Sequence, residues 1–585
     1  MSYNNTKLVA GLLGYALLAC SISGCSFDSF SKTATETSSE SSSSATEITY
    51  LNADDMFTDC DKEVGYDEDT ATAITLSDDA SSCDSSSVSI SDNTITITDE
   101  GTYLLTGSLS DGQVIVNADD KKVQLVLDSV DINCDTSAAL YVKAADKVFV
   151  TLASDSKNTL SNTNDFVAID DNNIDAVIFS KDDLTLNGSG TLTVTAKYGH
   201  GIVSKDDLVI TSGTYQITAA KHALSGQDSV RIADGILTLN AGTDGIHSEN
   251  TDDDAKGFIY IANGDISITA DSDGFDAEET LQVDGGNIEV YAGDDGLHSD
   301  DDLIITAGTI NVTKSYEGLE GMTVTIEDGD ISVVSSDDGI NASGDGSSGD
   351  SSQSGTPPEK PDDSDSTEDR PESPNGFDKN DNSSADSNSD SNSNSNTNSK
   401  PADLPDGNAG PGDGNGGPGG SNGGPGGDNG GPGDGMEEAT NYNLIQISGG
   451  KIYINASGDG IDSNGNLTVT GGEIYVDGPT SGGDGALDCS GTTLISGGTV
   501  IAVGSSGMAE NFDSSSAQGS MITTVSDSMI TGDITLKDSD GNTIVSYIPS
   551  KEYSSVVISC ADLKEGETYT LMAGDTSTSV SLNQK

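Results

Sequence analysis

Between His200 and Asn341 the chain repeats one short unit. The turn residues His200, His222, Asp244, Asp273, Asp295, Glu317 and Asp338 are each followed by a small residue and then an apolar one, at steps of 22, 22, 29, 22, 22 and 21 residues. Strand-length runs lie between turns, such as Leu303–Thr306 and Thr309–Val312 with Gly308 between them. A fixed period, alternation at period 2 and no run long enough for a helix together specify a β-solenoid. One coil cannot bury its own apolar face, so coils must stack. The predicted fold is therefore all-β, a parallel β-helix with coils of about 22 residues. Ile246, Phe275, Leu297, Leu319 and Ile340 should form one inward column. Leu208, Val230, Ile259, Leu281, Leu303, Val324 and Leu444 should form another.

Stacking also lines up Asp244, Asp273, Asp295, Glu317, Asp338 and Asp459, and we expect this column to face outward. Three residues on lies a second set: His247, Asp276, His298, Glu320, Asn341 and Asp462. Two carboxylates one layer apart, about 4.8 Å, repel by roughly 3.5 kcal/mol at an effective dielectric near 20. Such neighbours hold a proton or recruit a cation. Oxygen-rich sets suit a hard ion, Ca2+ above all. The candidate ligands are Asp244, Asp273, Asp276, Asp294, Asp295, Glu317, Glu320, Asp337, Asp338, Asp459 and Asp462. The plainer reading is that Asp-Gly simply makes a turn. His200, His222, His247 and His298 share the edge; only pairs two coils apart, or offset by three residues, are expected to meet over a transition metal.

The rest of the chain divides around this repeat. Residues 1–25 read as a signal peptide, too short for a membrane span. Residues 26–47 are a Ser/Thr-rich tether, and 48–113 a β-rich N-terminal cap. Coils are expected over 114–342 and 439–519, with a C-terminal β cap over 520–585 that includes a hairpin from Gly532 to Ser546. Residues 343–438 are Gly, Asp, Ser, Asn and Pro with almost no apolar side chains, and are predicted to be disordered. The repeat resumes in phase after them, with Ala342 matching Ser299 and Asn443, Leu444 and Ile445 matching Asp302, Leu303 and Ile304. With 98 acids, 24 bases and a net charge of −74, the surface rejects nucleic acid and anionic membranes. Cys60 and Cys83 are candidate disulfide partners.

Several of these segments carry a resemblance. Ile22, Ser23, Gly24 and Cys25 resemble the bacterial lipobox, which implies a lipid on Cys25 and a mature chain held at the membrane by that lipid alone. The run Val123–Asn162, the Lys181–Leu186 coil and the acidic turns, some continuing into His-Ser, resemble a bacterial secreted or lipid-anchored carbohydrate-binding β-helix family with a pectate-lyase-like shape. That resemblance implies a right-handed coil, Ca2+ on the coil turns, and binding of cellulose or of an acidic polysaccharide such as polygalacturonate.

The functional expectation is a non-catalytic, calcium-dependent carbohydrate binder on the cell surface, with Tyr198, Tyr291 and Tyr316 as stacking residues. The alternatives are a calcium-dependent polysaccharide lyase and a structural adhesin. Whether the chain is an enzyme stays open, with a binder favoured, because lyase chemistry needs a base. The chain has two arginines: Arg370 in the insertion and Arg231 in a strand with no acid column beside it in sequence. Lys221 is the best remaining candidate base.

Overall fold

A computed structural model describes residues 48–344 and 443–582. The expected signal peptide, Cys25, the tether, nearly all of the insertion and the last three residues lie outside the described residues. Among those described, one 3-10 turn, Ala53–Asp55, is the sole helical element. The strands fall into one sheet of 39, dominated by parallel pairs, and a separate sheet of four.

The parallel pairs give a solenoid-like stack. The coil holding Phe275 contributes Phe275–Ala277, Thr280–Val283 and Asn287–Tyr291, which pair in parallel with Leu297–Ile305 and Thr309–Ser315 of the next coil. Three such ladders run along the molecule, so backbone groups are satisfied from coil to coil. The first inward column is observed in register from Ile246 through Phe275, Leu297 and Leu319 to Ile340, and every member is fully buried. Each such side chain contributes about 1.5–3 kcal/mol of transfer energy. Gly308 turns the chain between the second and third ladders at a φ of 109°, open to glycine at no steric cost.

The second column needs a correction. It runs from Leu208 to Val324 as expected, but Val324 then pairs with Ile445, and Leu444 pairs with Thr323. Leu444 and Ile445 are both apolar, so neither alone fixes the face. The alternation that follows does: Ile445 and Ile447 are buried while Leu444 and Gln446 are half-buried. A one-residue slip exchanges the two faces of a strand.

The N-terminal region also differs from expectation. Parallel stacking begins at Thr72–Leu76, which lies on Gly101–Leu109, rather than near Val114. The hairpin of Val88–Ser91 and Thr94–Ile97 joins the stack through Gln113–Asn117. These outer coils alternate Ser and Thr with apolar residues and lack the acidic turn, so the repeat signature misses them.

Residues 50–65 form no cap strand. They run lengthwise over the outside of the second ladder, from Glu327, which accepts from the Tyr50 hydroxyl, back to Gln124, which donates to Gly65. Between those ends Gln282 accepts from Leu51 N–H, and Arg231 donates to the Met56 carbonyl at 3.1 Å. The anchor is Asp61, 1% exposed, which meets Lys147 Nζ at 2.8 Å and accepts from the hydroxyls of Thr185 and Thr58. Burial would raise its pKa, but Lys147 and the two hydroxyls outweigh that and hold it near 2. Cys60, in this segment, and Cys83, packed on the main core, are not joined as a disulfide.

At the other end, Ser555–Ser559 lies antiparallel between Thr499–Gly504 and Ser520–Thr524. The four-stranded antiparallel sheet follows, with Ile534–Lys537 and Thr543–Tyr547 as its hairpin.

Two outcomes test this fold. Ile445→Ala should cost about 2–5 kcal/mol in denaturant unfolding, and Leu444→Ala about 1 kcal/mol or less; the reverse order would restore the slipped register. Asp61 has a folded pKa below its unfolded one, so its contribution of roughly 2 kcal/mol is present above about pH 4 and is lost as pH falls towards 2. Asp61→Ala should leave the buried Lys147 with Asp183 alone, 3.6 Å away, and make residues 50–65 sensitive to limited proteolysis at neutral pH.

Candidate functional site

The acidic turns open the first ladder, and the register carries their side chains into adjacent layers. Leu224, Ile246, Phe275, Leu297, Leu319, Ile340 and Ile461 pair in sequence, which stacks the turn residues two positions before them. The second set is also one column, from His247 through Asp276, His298, Glu320 and Asn341 to Asp462 and then Asp488.

The glycine after each acid is set by close approach. Gly274, Gly296, Gly318, Gly339 and Gly460 are not in the left-handed region. A Cβ on Gly274 would lie 2.4 Å from the Gly296 carbonyl oxygen and 2.4 Å from Val290 Cγ1. The Asp-Gly pair is thus a layer-packing device, and a simple turn preference does not account for it.

The acids are not outward-facing. They are half-buried, and Asp244 is buried. Each aspartate uses one oxygen to accept the amide of the next layer: Asp244 from Asp273 at 3.2 Å, Asp273 from Asp295 at 2.7 Å, Asp295 from Glu317 at 3.0 Å and Asp338 from Asp459 at 2.6 Å. Glu317, one methylene longer, accepts from the Asn341 side chain at 2.7 Å instead. Asp459 accepts from Gly485, which has no side chain to continue the column.

The second carboxylate oxygen of these aspartates is left to meet its neighbours. Asp244, Asp273 and Asp276 converge within 4.8 Å, as do Asp338, Asp459 and Asp462. Both sets use one design: two successive turn acids plus the residue three on from the second. A third set joins Asp295 and Glu320 with His298, whose Nδ1 lies 2.7 Å from Glu320 Oε2. The candidates Asp294, Asp337 and Glu317 fall outside these sets. Asp294 is exposed, Asp337 lies by the Tyr316 hydroxyl, and Glu317 is taken by Asn341. The carboxylate pattern alone could not show that His298 belongs, or that Asp488 extends the second column.

The electrostatics follow from this crowding. Burial, then the charges of Asp244 and Asp276, push Asp273 up to about 7. Burial, then Asp337, Asp459 and Asp462, push Asp338 up to about 7, and Asp459 and Asp462 rise to about 6. Burial and the neighbouring acids also raise Asp295 and Glu317. Burial would raise Glu320 too, but its hydrogen bond and ion pair with His298 bring it down. Among the described residues, Lys122, Lys143, Lys147, Arg231 and Lys256 form their ion pairs with other acids.

Other expectations are corrected here. His200 and His222, one coil apart, stack directly with centroids 4.7 Å apart. Arg231 does have acids beside it: it pairs with Asp207, which clusters with Asp183 and Asp206. Tyr198, Tyr291 and Tyr316 are 41%, 47% and 44% exposed, so all three are open to a ligand. A lysine ammonium sits over two of those rings, Lys197 on Tyr198 and Lys314 on Tyr291.

Residues 91–344 match the model of a family described as carbohydrate-binding domain-containing protein. The comparisons point to a carbohydrate-binding domain-containing family. A protein of that description from Acetivibrio thermocellus is 38% identical over 135 residues, covering 23% of this chain. The chain spans about half of that relative, 47% of its length. A solved polysaccharide lyase-like protein from C. thermocellum, as a gadolinium derivative, is 34% identical, covers 40% of this chain and 97% of its own, and has a TM-score of 0.40.

The raised acids give a pH test with a defined sign. Their folded pKa values lie above the unfolded ones, so apo stability is greatest below about pH 4 for this set and falls as pH rises through 6 to 7. The melting temperature of chelator-stripped protein should drop between pH 5 and pH 8, and added Ca2+ should reverse the drop. A flat profile with no Ca2+ response would remove the metal reading of these clusters.

Proposed function

We propose that this chain is a calcium-dependent carbohydrate-binding protein without catalytic activity, built on a right-handed parallel β-helix and held at the cell surface by a lipid on Cys25. Its ligand is cellulose or an acidic polysaccharide such as polygalacturonate, and it binds no nucleic acid. The carbohydrate-binding family match covers the coils that carry most of the acidic turns.

The observation that carries the calcium reading is the repeated three-carboxylate cluster, Asp244–Asp273–Asp276 and Asp338–Asp459–Asp462, half-buried except for the buried Asp244 and without a lysine or arginine partner among the described residues. The donor chemistry fits: all-oxygen and anionic, with room for the further oxygens a six- to eight-coordinate Ca2+ takes from water or ligand. A ligand carboxylate entering that shell reconciles an acidic protein with an acidic polymer. The layer repeat offers equivalent contacts along a repeating chain, and Tyr198, Tyr291 and Tyr316 are exposed to stack on sugar rings.

The non-catalytic reading rests on the bases. Arg231 is spent on Asp207 and on the Met56 carbonyl beneath residues 50–65, and Lys221 is exposed on the histidine side of the turns rather than among the three-carboxylate clusters.

The full chain should be retained on insoluble cellulose or retarded in polygalacturonate gels with Ca2+, and released by chelator. Asp276→Asn combined with Asp462→Asn should weaken retention at least about tenfold, as expected for loss of metal-binding groups. Retention indifferent to chelator would sink the calcium dependence. Absence of retention on both polymers would leave the adhesin reading, and growth of ultraviolet absorbance from unsaturated products would establish a lyase.

A further inference from the structure

We propose that His222, Asp244 and His247 form a binding site for a transition-metal dication of the zinc class, different in donor chemistry from the all-oxygen clusters of the same edge although it shares Asp244 with the first of them. One nitrogen from each ring and one oxygen of Asp244 lie within 4.8 Å of one another. His222 Nδ1 is 2.7 Å from Asp244 Oδ2, and His247 Nδ1 is 4.0 Å from the same oxygen. The histidines come from successive coils, one at the turn position and the other three residues further on in the next coil, and their rings stack at 4.3 Å with an interplanar angle of 10°. Asp244 divides its two oxygens. Oδ1 accepts the Asp273 amide, which fixes the carboxylate, and Oδ2 faces the two imidazoles.

The donor set differs in kind from the rest of the edge. Two imidazole nitrogens and one carboxylate oxygen leave one position of a tetrahedron for water, the arrangement zinc takes with nitrogen at about 2.0–2.1 Å. Ca2+ needs six to eight oxygens and gains little from imidazole. The side chains of His222, Asp244 and His247 are 19%, 8% and 17% exposed, so the site is shielded yet reachable. Outer groups hold the ligands in place. His200 stacks on His222 and Glu249 lies 3.6 Å from His247 Nε2, while the Thr243 hydroxyl, 3.0 Å from His222 Nδ1, competes for that nitrogen in the metal-free chain. A carboxylate on the second nitrogen of a ligating histidine orients the ring and strengthens it as a donor. Asp276 Oδ2, 2.9 Å from His247 Nδ1, competes for that nitrogen in the metal-free chain.

The experiment uses the full chain, stripped with chelator and then given Ca2+ to fill the oxygen-only set of Asp338, Asp459 and Asp462, which shares no residue with the zinc site. Calorimetric titration with Zn2+ should find one tight site, and Co2+ in its place should give the intense visible bands of a four-coordinate ion. His222→Gln and His247→Gln, singly and together, should each weaken Zn2+ at least about tenfold and bleach the Co2+ bands, while leaving the Ca2+-dependent melting shift. His200→Gln, which removes only the stacked ring, should keep the site. Equal Zn2+ affinity in wild type and variants overturns the proposal. If the double variant does not fold, either single variant reads the same outcome. Polysaccharide retention should survive in all of them, so failure of the zinc site and failure of the carbohydrate reading are separately visible.

Discussion

Parallel pairing in strict register is the constraint on which the rest of this molecule depends. It places each residue over its equivalent in the next coil, so whatever one coil carries meets a copy of itself one layer away. For apolar residues this helps: Phe275, Leu297 and Leu319 make a continuous core from units that could not each build one. For acids it is costly, because it stacks like charge on like charge in a half-buried site. The same geometry therefore produces both the stability of the core and the tension at the edge.

That tension is partly relieved by the backbone itself. One oxygen of each aspartate accepts the amide of the following layer, a charge-assisted bond that favours the ionised acid. The remaining oxygen meets its neighbours, and burial with their charge pushes Asp273 and Asp338 towards neutrality. The two effects act on opposite ends of one carboxylate. The glycine that follows is part of the device, since any Cβ there would strike the next layer's carbonyl and hold the coils apart.

The sequence alone shows the parts of the fold that repeat. The period, both acidic columns and the first inward column could be read because each is restated every coil. What occurs once could not. Residues 50–65 cross eight or so layers using single contacts, Asp61 to Lys147 and Met56 to Arg231, that leave no periodic trace. The slip at Leu444 and Ile445 arose where two adjacent apolar residues follow a long interruption, so the phase had to be taken from Ile447. Within the site, spacing gave the columns but not which oxygens bind the next layer's amide. That depends on side-chain length, as Glu317 shows by reaching Asn341 in place of the next amide. It also depends on composition across layers, which is why His298 joins a set that a list of acids would omit.

The edge is consequently a series of different donor sets and not a uniform strip. It begins with stacked imidazoles at His200, His222 and His247, passes through the oxygen-only set of Asp244, Asp273 and Asp276 and the mixed set of Asp295, His298 and Glu320, and ends in the oxygen-only set of Asp338, Asp459 and Asp462. The last set is assembled from residues on both sides of a long insertion. Asp338 accepts the Asp459 amide although the two are 121 residues apart in sequence. Ile340 pairs directly with Ile461, and Thr323 with Leu444. The coil therefore closes as though the intervening chain were an ordinary turn. Loop-closure entropy rises only with the logarithm of length, so a stack that already supplies the register can accept a long insertion at little more cost than a short one. The acidic edge stays continuous because the register, and not the local sequence, decides what lies next to what.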